Sequence, residues 1–287
     1  TATSSFNTSG TTGGYKIDGN LILQASSTNS SLTIGQSAGT ALLADGLGNT
    51  VLGYEALRYA TSSDYNTALG YRALFTNNIG ERNTAMGYAS LFGNTTGSNN
   101  VANGYASLYA NTTGNYNISQ GAYSMYTNTT GSYNVANGYT SLYFNTTGGN
   151  NSAIGPASLY FNTTGSQNIA VGRGALQANT TGSNNTATGY TSLYSNSTGA
   201  QNTASGMYSL YYATTSTYST AIGYLSGVGS SLTANDYNTS IDTNMTFLGA
   251  LASRDNNTAS TTGITNSTAI GYNAKVGGSN MLVLGNA

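Results

Sequence analysis

One glycine recurs at every seventeenth position through most of this chain, and this spacing limits the possible folds more than any other feature. The glycines are Gly53, Gly70, Gly87, Gly104, Gly121, Gly138, Gly155, Gly172, Gly189, Gly206 and Gly223. The ten intervals between them contain no insertion or deletion. A short, fixed period indicates identical units that stack on one another, because each unit is too thin to bury its own apolar face.

The residues around each glycine favour strands. Asn stands four residues before the glycine in ten of the eleven units, and Leu or Met stands four residues after it in ten. Seventeen residues are too few for a helical hairpin repeat, and Asn, Thr, Gly and Ser form helices poorly. The sequence therefore predicts an all-β parallel β-solenoid, or β-roll. Each 17-residue coil is expected to contain a strand Asn-Thr-Ala-x-Gly, a tight turn, a second strand Ser-Leu-Tyr-x-Asn and a polar turn.

The repeat divides the chain into three segments. Residues 1–28 are predicted to form an N-terminal arm and a first strand, with strand-like alternation from Tyr15 to Gln24 that begins or caps the stack. Residues 29–224 form the regular solenoid array, and its first coil is imperfect. Residues 225–287 contain irregular coils with loop excursions, and they end in coils with a shorter, 14-residue interval between their glycines, Gly271 and Gly285.

One segment resembles the head repeat of trimeric autotransporter adhesins, namely Asn266-Ser267-Thr268-Ala269-Ile270-Gly271. A similar segment follows it at the 14-residue interval, at residues 280–285. Residues 66–70, 151–155 and 168–172 are also similar to residues 266–271. The resemblance implies a left-handed β-roll that assembles as a homotrimer and mediates adhesion on a bacterial surface, and related rolls occur in bacterial and phage fibres. The chain departs from that family in its period of 17, and in the polar residues Asn103, Gln120, Asn137, Thr188 and Ser205 before the glycine.

Composition argues against several functions. The chain has 287 residues with no His and no Cys, and only 5% of them are charged. We therefore expect no enzyme activity, no cofactor and no metal site, because general acid–base catalysis and metal binding need such side chains. A net charge of −1 gives no basic footprint for nucleic acid. No apolar run is long enough for membrane insertion, and no signal peptide is visible.

The few charged residues are expected to lie in solvent. Asp236 and Asp242 are interpreted as loop acids. Arg58, Arg72 and Arg82 are expected to pair at the surface with Asp64 and Glu81, and such pairs contribute little to stability.

Two columns of asparagine repeat with the coil. We interpret them as ladders that hydrogen-bond from coil to coil and satisfy the backbone of the turns. Seven members of the second column also begin Asn-x-Thr sequons on turns predicted to be exposed, which makes them candidate glycosylation sites. They are Asn94, Asn111, Asn128, Asn145, Asn162, Asn179 and Asn196.

Tyrosines form a candidate contact stripe along the coils. Its members are Tyr105, Tyr109, Tyr126, Tyr139, Tyr143, Tyr160, Tyr190 and Tyr194. We favour burial or contact with another subunit, and the alternative is stacking against sugar rings. Adjacent threonines such as Thr112 and Thr113 add a further alternative, an ice-binding face.

The core and the outer face can also be predicted. Leu108 and Leu142 are expected inside the coil opposite Ala102 and Ala136. Val101, Ile118, Val135 and Ile169 are expected on the outer face of the same strands, where they meet another copy across more than roughly 1,000 Å².

These features together predict a structural extracellular fibre or surface-adhesin segment that self-assembles and mediates attachment. Its partners are expected to be copies of itself, as a homotrimer or filament, together with surface glycans or a host or cell-surface receptor. Its expected location is extracellular or at the cell surface, in a bacterial or phage fibre. A head-to-tail filament subunit and a glycan- or ice-binding solenoid module are the alternatives.

Overall fold

The computed structural model describes residues 13–17, 20–25, 30–42, 46–228, 242–255 and 263–285. In these residues the protein is an all-β parallel β-solenoid, and the predicted fold class is confirmed. The chain divides into two compact units, residues 1–134 and 135–287, and this division falls inside the regular array. The described residues contain no α-helix.

The first unit begins with a hairpin rather than the single strand predicted over Tyr15–Gln24. Strands β1 (Gly13–Ile17) and β2 (Asn20–Ala25) pair antiparallel. Strand β2 then pairs antiparallel with β3 (Leu32–Ile34), the strand of the first coil. Strand β2 therefore covers one edge of β3, at the place where the sequence predicted that this segment begins or caps the stack.

The remaining strands of the first unit belong to successive coils. They are β4 (Thr50–Leu52), β5 (Thr67–Leu69), β6 (Thr84–Met86), β7 (Val101–Asn103) and β8 (Ile118–Gln120). From β4 onward each pairs in parallel with the next in the register of the 17-residue repeat, for example Val101 with Ile118.

The second unit begins with more regular 17-residue coils and ends with coils of different lengths. Its regular strands are β9 (Val135–Asn137), β10 (Ser152–Ile154), β11 (Ile169–Val171), β12 (Thr186–Thr188), β13 (Thr203–Ser205) and β14 (Thr220–Ile222). After them come β15 (Thr246–Leu248), β16 (Ser253–Arg254), β17 (Thr268–Ile270), β18 (Lys275–Val276) and β19 (Leu282–Leu284). Thr268 pairs with Leu282, so the predicted 14-residue coil is confirmed.

The predicted core is confirmed. Leu108, Leu142, Ala102 and Ala136 are all fully buried. The middle residue of each regular strand points inward, and the residues on either side of it face outward, as strand geometry requires. One large side chain per coil, together with small ones, fills the interior.

The predicted second strand is wrong in the 17-residue coils. The segment after the glycine forms a turn, in which Ala106 and Leu108 adopt left-handed conformations with φ of 48° and 53°. A strand would send alternate side chains to opposite faces, whereas Ala106, Ser107 and Leu108 are all buried. The left-handed residues allow this, because they curl the backbone around its own side chains.

The recurring glycine is required by the close approach of neighbouring coils. Gly104 has a φ of 141°, and a Cβ atom there would lie 2.6 Å from the carbonyl oxygen of Gly121. No other residue fits such a position without strain. The 17-residue period therefore marks the place where successive coils make backbone contact.

Candidate functional site

Two asparagine ladders hold the coils together. In the first ladder the backbone N–H of Asn83 donates to Asn66 Oδ1 at 2.9 Å. In the second ladder Asn94 Nδ2 donates to Asn77 Oδ1 at 2.6 Å. The ladders meet at Gly97, whose carbonyl accepts from both Asn83 Nδ2 and Asn94 Nδ2. The interpretation of these columns as structural ladders is confirmed.

The sequon asparagines do not lie where the sequence predicted. We expected exposed turns, but the side chains of all seven candidates are fully buried, namely Asn94, Asn111, Asn128, Asn145, Asn162, Asn179 and Asn196. Their Nδ2 atoms, to which a glycan would attach, donate instead to the carbonyls of nearby glycines, as in Asn111 to Gly114 at 3.0 Å. The expectation of exposure fails because the turn needs the amide as an internal hydrogen-bond donor. A glycan would displace this bond.

The candidate tyrosine stripe separates into two columns. Tyr105, Tyr139 and Tyr190 directly follow a glycine and are exposed. Tyr109, Tyr126, Tyr143, Tyr160 and Tyr194 stand five residues after a glycine and are half-buried. Rings within a column stack, with centroids 5.0 Å apart for Tyr109 and Tyr126 and 5.3 Å apart for Tyr143 and Tyr160.

In the first unit the two columns form the walls of a groove. One wall contains Tyr88 and Tyr105, whose centroids are 4.9 Å apart, and the other contains Phe92, Tyr109 and Tyr126. Ala89 and Ala106 lie between the walls, and Arg72 and Tyr123 complete the lining. The volume is about 290 Å³. We call this feature the aromatic groove.

The ends of the aromatic groove are set by the residues two positions after each glycine. These positions carry Arg72, Ala89, Ala106 and Tyr123 in successive coils. The small side chains leave space, whereas the Tyr123 ring fills it and contacts the rings of Tyr105 and Tyr126 edge-on. Electrostatic repulsion from Tyr123 raises the pKa of the Tyr105 phenol above its ordinary value. The sequence analysis did not predict the aromatic groove. The change from alanine to larger residues at the position two after each glycine could have indicated it.

The second unit repeats only part of this arrangement. Tyr208 stands two residues after a glycine, as Tyr123 does, and contacts Tyr190 and Tyr211 edge-on. The walls before it are interrupted, because Pro156, Arg173 and Gln177 occupy positions that carry aromatic rings in the first unit.

The charged residues beside the aromatic groove pair differently from our prediction. The buried Glu55 forms salt bridges with both Arg58 and Arg72. The distance from Arg72 Nε to Glu55 Oε2 is 2.7 Å. Arg82 pairs with Glu81 as expected, but Asp64 accepts the backbone N–H of Leu47. The sequence alone did not show that Glu55 lies between two arginines, because Arg72 reaches it from the next coil.

Asp242 was interpreted as a solvated loop acid, and this is wrong. Its carboxylate is buried and lies 3.2 Å from Arg254 Nη1, with side-chain exposures of 3% and 1%. Burial raises the pKa of Asp242 above its ordinary value, and the N–H of Ile264 and the Arg254 guanidinium oppose this rise. Asp236 lies outside the described residues.

Other candidate chemistry is sparse in the described part of the chain. It contains no group of three or more His, Cys, Asp or Glu residues that could hold a metal ion. It also contains no helix of the length and apolarity that a membrane span requires. In several threonine pairs of the regular coils the first hydroxyl serves the fold: Thr112 Oγ1 donates to the Thr129 carbonyl at 3.0 Å, as Thr95 and Thr146 do to Thr112 and Thr163, and Thr113 is exposed.

No protein-family model and no curated protein matches the sequence of this chain.

Proposed function

We propose that this protein is a structural segment of an extracellular fibre or surface adhesin, which assembles with copies of itself and mediates attachment. The observation that carries the proposal is a short row of exposed apolar side chains on the outer face of the strands in each unit, while Asn103, Gln120 and Asn137 stand at the same strand position in the coils from β7 to β9. Leu52 and Leu69 pair in register and are 44% and 42% exposed, and Ile154, paired with Val171, is 42% exposed. Apolar side chains in such rows favour contact with another protein surface.

The coil architecture supports a structural role. Strand pairing, glycine contacts and two asparagine ladders join each regular coil to its neighbour within a unit. Such a segment resists local opening because no coil can move without breaking bonds on both sides. The resemblance of residues 266–285 to adhesin head repeats supports a homotrimer on a bacterial or phage surface.

The assembly face can be tested with substitutions that the fold already accepts. The position of Leu69 and Ile154 carries Asn in other coils, at Asn103 and Asn137. We expect the double variant Leu69→Asn, Ile154→Asn to shift an oligomeric protein toward monomer in sedimentation equilibrium, with an unchanged circular dichroism spectrum. Thr113→Ala, on a different exposed column, should leave the mass unchanged.

The same samples separate the alternatives. A wild-type protein that is monomeric at micromolar concentration would contradict self-assembly. Negative-stain images of end-to-end filaments would support the head-to-tail subunit instead, although β2 already occupies one edge of β3. Thermal hysteresis during freezing would support an ice-binding module.

A further inference from the structure

We propose that the aromatic groove binds a short oligosaccharide that carries a carboxylate, as in chains of uronic acids. The inference rests on the attachment role proposed above and gives that role a ligand class and a site. It concerns residues 72–126 of the first unit alone.

The dimensions of the aromatic groove favour a small ligand over a second copy of the chain. A contact between two solenoids would extend over many successive coils, because a stable interface buries roughly 800 Å² on each partner. This groove instead has an end at Tyr123, whose ring fills the position that Ala89 and Ala106 leave open, and another at Arg72. Its volume of about 290 Å³ is at the lower limit of small-molecule sites.

The walls of the aromatic groove suit sugar rings. Tyr88 and Tyr105 stack with centroids 4.9 Å apart, and Phe92 and Tyr109 with centroids 5.0 Å apart. Near-parallel aromatic rings at these separations prefer an offset arrangement, which leaves part of each ring face uncovered. Uncovered ring faces bind the apolar C–H surfaces of a sugar, and tyrosine hydroxyls can bond its hydroxyl groups.

The charge at the Arg72 end favours an anion. Two arginines, Arg58 and Arg72, share the single carboxylate of Glu55, so this cluster of three side chains carries one positive charge in excess. Arg72 uses Nε for Glu55, and among the described residues no hydrogen-bond partner is found for its two terminal amino groups. Its guanidinium lies over the rings of Tyr71 and Phe75, which hold it beside the groove. A guanidinium binds a carboxylate through paired hydrogen bonds.

A blocking substitution with a matched control tests the site. Ala106→Tyr introduces a tyrosine into the aromatic groove. The next coil carries Tyr123 at the equivalent position, so we expect the fold to accept the substitution. Ala157→Tyr makes the same change in a coil where Pro156 replaces the wall tyrosine. Binding of trigalacturonate to the full chain would be measured by isothermal titration calorimetry, with cellotriose as the neutral comparison.

We expect wild type and Ala157→Tyr to bind trigalacturonate alike, and Ala106→Tyr to bind at least tenfold more weakly. Arg72→Gln should weaken trigalacturonate binding more than cellotriose binding, so that the preference for the acidic sugar is lost. Wild type that binds neither sugar, or Ala106→Tyr that binds as wild type does, would overturn the proposal. So would an Arg72→Gln variant with full preference for the acidic sugar.

Sedimentation of the same variants distinguishes this inference from self-assembly. If Ala106→Tyr dissociates an oligomer, the aromatic groove is a subunit contact and the proposed ligand site is wrong. If wild type is monomeric yet binds trigalacturonate at the groove, the assembly proposal fails and the ligand site stands.

Discussion

The 17-residue coils and the C-terminal coils share the same strand and glycine, but their backbone conformations differ after the glycine. Both kinds have a left-handed residue two positions after it, at Ala106 in one coil and at Leu251 in another. Four positions after it, the 17-residue coil has a second left-handed residue, Leu108, whereas the C-terminal coils form the parallel strand pair β16 and β18. Among the residues that the structure describes, the predicted second strand therefore exists only in the C-terminal coils.

The two kinds of coil also fill their interiors differently. A regular coil buries one Leu, such as Leu142, together with two ladder asparagines. The C-terminal coils bury Phe247, Val276 and the ion pair of Asp242 with Arg254. A shared strand motif therefore does not determine the rest of the coil. The structure of the rest of the coil depends on how many residues close it and on which side chains fill its core.

The largest expected effect is on the C-terminal coils. Arg254→Met leaves the Asp242 carboxylate buried without its cation and should cost about 3–5 kcal/mol. Hydrogen exchange should show the loss at the amides of Ser253 and Asp255, which donate to the segment that contains β18, while amides of the regular coils stay protected. The double variant Asp242→Leu, Arg254→Met is the control, because replacing both charges is often neutral or stabilising. An equal loss in the double variant would contradict this account.

Leu142→Ala tests the core of the regular coils. It removes a fully buried side chain and should lower the free energy of unfolding by about 2–5 kcal/mol, measured by denaturant titration. Ile169→Ala, at a position 45% exposed in the single chain, serves as the comparison and should change the stability of a monomeric form by less than about 0.5 kcal/mol. Similar losses from both variants in an oligomeric form would mean that the outer face is buried in the assembled protein.

The asparagine ladder should contribute less than the leucine. Asn111 Nδ2 donates to Asn94 Oδ1 at 2.7 Å and to the Gly114 carbonyl at 3.0 Å. Asn111→Ala removes the donor for these buried acceptors and should cost about 1–3 kcal/mol. The exposed Asn103 provides the control, and Asn103→Ala should be near neutral in thermal unfolding of a monomeric form. If the two variants behave alike, the ladder is not a main source of stability.

The smallest effect is a pH dependence confined to the C-terminal coils. Burial raises the pKa of Asp242, so the folded state binds this proton more tightly than the unfolded state does. The resulting stability is fully present below the ordinary pKa of 3.8 and is lost as pH rises through the folded pKa. Hydrogen exchange of β16, corrected for intrinsic rates, should show this decline, and Asp242→Asn should abolish it. A rise in protection over that pH range would refute the assignment.

The sequence by itself determined the strand of each coil. Asn, Ala and Gly recur at fixed distances, and their spacing alone predicted the parallel pairing, the buried Leu108 and the asparagine ladders. These features were predictable because they repeat, and a repeated residue must lie in the same environment in every coil.

Only the tertiary structure decided what depends on contacts between neighbouring coils. The left-handed conformation of Leu108 costs about 1–2 kcal/mol locally, so propensity argues against it, and the packed core stabilises it. The pairing of Arg72 with Glu55, the burial of Asp242 and the end of the aromatic groove at Tyr123 each join residues of different coils or loops. Such contacts involve individual residues that break the repeat, and their distances become known only when the coils are stacked.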